Sequence, residues 1–194
     1  MILELGLVVG AAGAAVWAYR RRRRDGQAPS QPVSSPAAPA APPAPARQPG
    51  LNVSDVLLYV DTELWLAGCL HLEDGEDVLR LFAAPGAKRA THVVQLDRSG
   101  DDVATLSVHS GVPGGRVPDE LLVESARLRL RKRGRASTRT EGEWPGSPSP
   151  QADYVLLGDP SGRLLLVLDF AGGERLALLG ERVPSGMLDL LPGG

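Results

Sequence analysis

With 194 residues and a net charge of −2, the chain has room for one ordinary domain, but its charge is unevenly placed. The first fifty residues carry six arginines against Glu4 and Asp25, and the remainder carries fifteen Lys and Arg against twenty-one Asp and Glu. A folded part six charges negative excludes a general nucleic-acid binder, in which neutralising phosphates dominates affinity, and the single cysteine, Cys69, excludes an internal disulfide.

The chain opens on "MILELGLVVGAAGAAVWAYRRRRR". Its apolar run is just long enough to span a hydrocarbon core, about 27 Å over eighteen helical residues. Trp17 and Tyr19 stand where an interfacial aromatic belt would sit, and Arg20, Arg21, Arg22, Arg23 and Arg24 follow at once. Because the charge follows the apolar run instead of preceding it, residues 1–24 read as a retained transmembrane helix and not as a cleaved signal. The positive-inside rule then leaves everything after Arg24 in the cytoplasm. Scarce lysine beside abundant Ala, Gly, Pro and Arg suggests a GC-rich bacterial genome, so the expected location is the inner membrane, crossed once. Gly6 and Gly10 form a small-xxx-small pair that would bring two such helices together as a homodimer.

Residues 25–50 are dominated by Pro, Ala, Ser and Gln, with prolines at 29, 32, 36, 39, 42, 43, 45 and 49. Proline removes backbone donors and fixes φ, so this stretch is expected to be a disordered, largely polyproline-II linker of up to about 75 Å.

From residue 51 to 194 short alternating runs recur between turn signals: "DVLLYV", "LWLAGCLHL", "DVLRLFA", "THVVQL", "VATLSV", "LLVES", "ARLRLRK", "ASTRTE", "ADYVLLG", "RLLLVLDF" and "ERLALLG". They predict an all-β domain, an antiparallel barrel or small sandwich, with one helical turn near "SGMLDLL". "DVLLYVDTELWLAGCLHLE" and "ELLVESARLRLRKRGRAST" each read as strand, tight turn and longer strand, which suggests two similar halves.

These same segments, with "ADYVLLGDPSGRLLLVLDF" and the closing "GERVPSGMLDLLPGG", resemble a bacterial membrane-associated family known only as a domain of unknown function. That family pairs a "VGDxVxYxGxxWxVxGxL" half with a "LxxxGxxYxLxxxGxAxxxxEG" half. Ser54 stands where its first glycine is expected, and Leu128 where its second aromatic is expected. The resemblance implies a two-part all-β domain, an association with envelope and membrane-stress functions, and no activity.

The residues that bear on chemistry are few. "ARLRLRKRGRAS" places Arg127, Arg129, Arg131, Arg133 and Arg135 at every second position, hence on one face of a regular strand. Such a row either pairs with the domain's own acids, Glu141 and Glu143 being the nearest in sequence, or binds an anion or an anionic lipid surface. Internal pairing is the preferred reading. Trp144, in "EGEWPGSPSPQ", is the candidate partner contact if it does not plug a barrel end. Cys69, His71, His92 and His109 lack zinc-ligand spacing, and "DRSGDD" lacks the acid that would complete a calcium loop, so no metal or cofactor is expected. No nucleophile elbow or phosphate-binding glycine loop appears. The expected function is a membrane-anchored binding or scaffold protein with an unknown protein partner. An uncharacterised enzyme domain and an anionic-lipid module are the alternatives.

Overall fold

The structure, a computed structural model, describes residues 48–87 and 91–193. The expected transmembrane helix, with Gly6, Gly10, Trp17, Tyr19 and Arg20 to Arg24, lies outside the described residues, as does all of the linker before Gln48. Among the described residues no helix is long and apolar enough to cross a membrane.

Among the described residues twelve strands follow in chain order: β1 (Val56–Tyr59), β2 (Thr62–Trp65), β3 (Gly68–Asp74), β4 (Asp77–Ala83), β5 (His92–Gln95), β6 (Val103–Val108), β7 (Glu120–Val123), β8 (Ala126–Gly142), β9 (Gln151–Gly158), β10 (Arg163–Phe170), β11 (Arg175–Val183) and β12 (Leu188–Leu191). A 3₁₀ turn at Ser185–Met187 occupies the place where a helical turn was expected. Eight strands close an antiparallel barrel in the order β3-β4-β5-β6-β11-β10-β9-β8, with β8 pairing back onto β3. Closure leaves these eight strands no free edge, the arrangement that antiparallel all-β chains use against edge-to-edge association.

All eight barrel strands send side chains into the lumen, among them Leu70 and Leu72 of β3, Leu81 of β4, Val94 of β5, Leu106 of β6, Ala136 of β8, Tyr154 and Leu156 of β9, Leu166 of β10 and Leu178 of β11. The lumen is therefore a filled core, and each leucine in it contributes about 1.5–3 kcal/mol over an exposed one. The outer face is covered too. Over β3 to β6 lies a small sheet of order β12-β1-β2, which buries Leu57, Leu64, Cys69, Phe82 and Val93. Over β9 to β11 lie β7 and the first half of β8, which bury Val123, Leu128, Val155, Leu165 and Val167. Strands covered on both faces read as unbroken apolar runs, which is why "RLLLVLDF" shows no alternation.

Each covering hairpin is made by a two-residue turn whose first residue is left-handed: Val60 (φ 53°) between Tyr59 and Thr62, and Glu124 (φ 50°) between Val123 and Ala126. Ser54 is left-handed as well, at φ 73°. The expected strand boundaries needed two changes. "LWLAGCLHL" breaks into β2 and β3 at Leu66 and Ala67, whose amides leave the ladder to donate to Asp55 O and Ala83 O. "ARLRLRK" and "ASTRTE" join into the single 17-residue β8, because its two ends serve different partners, β7 at one and β3 at the other.

Candidate functional site

Strand β8 carries the arginine row, and its register decides what the row can do. Residues directly opposite in an antiparallel ladder share a face. Leu128 and Leu130 lie with Leu157 on the outer cluster, whereas Ala136 lies opposite Ala152 in the lumen. The switch occurs between Leu130 and Lys132, where the register with β9 slips and Arg131 is left over as a bulge. One extra residue turns every later side chain to the other face. The expectation that all five arginines share a face is therefore corrected: Arg127 and Arg129 stand on one face, Arg133 and Arg135 on the opposite one, and Arg131 at the crossing.

Beyond the bulge the arginines are tied to the fold. Arg133 donates to Asp119 at 2.9 Å and to Val117 O at 2.5 Å. Arg135 makes a two-pronged pair with Asp153 at 2.7 and 3.2 Å, which lowers the Asp153 pKa. Lys132 reaches Asp77 at 2.5 Å with its ammonium 6.0 Å from the Tyr154 ring, and Tyr154 donates to Asp74 at 2.9 Å. Gly134 is required here, because a β-carbon would overlap the Asp74 carboxylate and the Tyr154 ring. The acids that hold the row come from β9 and from the residues leading into β7. Glu141 instead faces His71 at 3.1 Å, where burial lowers the imidazole pKa against the carboxylate's pull.

Before the bulge the arginines are freer. Arg127 and Arg129 are 68% and 73% exposed and share one carboxylate, Glu120, at 2.9 and 3.5 Å. Arg131 makes no ion pair among the described residues. Together with Leu130, Gly158 and Pro160 these three arginines line a half-open cleft of about 580 Å³.

Trp144 is half-buried, packs against the lumen cluster and lies 5.9 Å from the His92 ring. That is the plug geometry, with a small cavity of about 340 Å³ beside it lined by Phe170, Glu174 and Leu176. Burial pushes the His92 pKa down to about 4. Cys69 and His71 lie on the outer face of β3, Cys69 in the apolar cluster with its thiol pushed up to about 12, mainly by burial. His92 faces the lumen end, and no group of three or more metal-ligating side chains gathers among the described residues.

Two features were missed by sequence reasoning. Arg80 is 7% exposed on the outer face of β4, donates to Pro49 O at 3.2 Å and lies 5.2 Å from the Phe82 ring, with its Nε unpartnered among the described residues. Beside it Gln95 accepts from the Leu51 amide, and Gly50 and Gly100 pack back to back. Together they strap the start of the domain to the barrel. The only signal in the sequence was a charged residue inside "DVLRLFA", whose burial depends on residues thirty positions earlier. The second feature is a groove of about 530 Å³ over the β6–β11 seam, lined by Tyr59, Thr105, Ser107, Arg163 and Glu181. It joins four segments remote in sequence. Arg163 there is ion-paired to Glu124.

These features define a closed eight-stranded barrel with covered flanks and a surface arginine cleft. No family model, curated protein or solved structure matches the chain.

Proposed function

We propose that the protein is a single-pass component of a bacterial inner membrane, whose all-β domain is a binding or scaffold module held in the cytoplasm by residues 1–24 and the linker 25–50. It is not an enzyme in this reading. The observation that carries the binding role is the filled lumen: with the barrel interior occupied by leucines, Val94 and Tyr154, ligands and partners are met on the outer surface, where the arginine cleft lies. The family resemblance is part of the proposal. It gains support from Ser54, which takes a left-handed conformation at the position where the family pattern carries glycine, the residue that adopts it at least cost.

Membrane orientation is tested by fusing reporters after Gly194. A cytoplasmically active reporter should work and a periplasmic one should not, and neutralising Arg20 to Arg24 should scramble that result. A strong periplasmic signal from the unaltered chain would overturn the orientation.

A further inference from the structure

We infer that the cleft formed by Arg127, Arg129 and Arg131 is a binding site for a phosphate-bearing anion. The inference rests on reading the domain as a binding module and supplies its ligand class. Three guanidinium groups meet there against one carboxylate, so two positive charges stay uncompensated within the cleft. Planar, forked donors of this kind match the oxygens of a phosphate group, since two parallel N–H donors reach two oxygens at once, and a phosphate's second negative charge answers the second uncompensated guanidinium.

The bulge is what builds the site. In a regular ladder Arg131 would continue the row of Arg127 and Arg129; as the unpaired residue it is re-aimed, and its stem lies over Gly158. Gly158 belongs there because a β-carbon would strike Leu164 and press on the Arg163 carbonyl.

Arg131 also borders a neighbouring cavity lined by Asp97, Asp101, Asp102 and Asp159, and it forms an ion pair with none of them. Three of the four acids are already engaged. Asp97 accepts from Ser99 and the amides of Gly100 and Asp102, Asp159 from Ser161 and the Arg163 amide, and Asp102 pairs with Arg182 at 3.2 Å. Arg131 is not consumed as their counter-ion and stays available to the cleft. Leu122, 71% exposed and directly opposite Arg127 on the same hairpin face, adds an apolar rim of the kind a lipid headgroup site has.

The phosphate can come from a lipid headgroup or from a soluble compound, and one titration separates them. The full chain in neutral-detergent micelles is titrated by calorimetry with inorganic pyrophosphate, and in parallel with short-chain phosphatidate and short-chain phosphatidylcholine, all at fixed ionic strength. Saturable binding of pyrophosphate, of phosphatidate or of both is expected, with phosphatidylcholine inert; the tighter of the two identifies the source. Arg131→Gln should weaken binding about tenfold or more. Arg135→Gln, on the opposite face, should leave it unchanged. Arg131→Lys, which keeps the charge and loses the fork, should retain part of the affinity and guards against misfolding of the glutamine variant. Absence of saturable binding, or binding that survives Arg131→Gln or falls equally with Arg135→Gln, would overturn the site. The reporter fusions are indifferent to these substitutions, so failure of the site and failure of the membrane reading are told apart.

Discussion

The two halves of β8 carry the same Arg-x-Arg spacing and behave differently. In the C-terminal half, Arg133 and Arg135 are latched to Asp119 and Asp153, and Gly134 and Ala136 fit under Tyr154 and into the lumen. In the N-terminal half, Arg127 and Arg129 share Glu120 in solvent and Arg131 makes no ion pair among the described residues. The same residue type at the same period is a structural latch where neighbouring segments supply one carboxylate for each arginine, and an accessible cationic surface where they do not. The bulge at Arg131 divides the two regimes.

A charge forced onto the buried face of the N-terminal half breaks this comparison most severely. Leu128→Arg would put an unpaired guanidinium into the cluster around Val155 and Leu165 in place of a buried leucine. Lost leucine burial together with buried guanidinium charge sets the expected loss at about 5 kcal/mol. Urea denaturation of the full chain checks it, and an unchanged midpoint would show that residue 128 does not face that cluster.

A smaller effect belongs to the end of β8, where the chain continues into Trp144, whose ring lies 5.9 Å from that of His92 on β5. His92 is neutral in the fold with its pKa pushed down to about 4, whereas in the unfolded chain it takes a proton near 6.5. The unfolded state therefore binds more protons between these values. Stability from this group is complete above about pH 6.5 and declines as pH falls toward 4, by about 3 kcal/mol in all. His92→Phe should flatten this limb of a melting-temperature profile. A profile equally steep in the variant would assign the decline to other groups, among them His71, whose pKa is also lowered by burial.

The smallest effects sharpen the contrast directly. Arg133→Gln removes a partly buried, doubly bonded guanidinium and should cost about 1–2 kcal/mol. Arg129→Gln, at 73% side-chain exposure, should stay within about 0.5 kcal/mol. Paired thermal melts measure the difference, and equal losses would mean that the two halves of β8 contribute alike.

Much of the domain was legible in its residues. Alternation between Gly and Pro punctuation announced an all-β fold, and the "YVDT" and "VESA" hairpins appear at Val60–Asp61 and Glu124–Ser125. For Trp144 the sequence left a partner contact and a plug as the two readings, and the ring packs against the lumen cluster. The arginine row was legible as a row, and its preference for internal partners holds for Arg133 and Arg135, though with acids other than Glu141.

By itself the sequence determined composition, turn positions and which residues alternate, because those depend on neighbours within a few positions. The tertiary structure decided closure into a barrel, since β3 meets β8 and β6 meets β11 only across more than sixty residues. It decided the face of each arginine as well, because a one-residue slip against β9 leaves no mark on the period within β8. Burial of Arg80 was decided in the same way, by a strap at Pro49 that reaches it only once the barrel has closed.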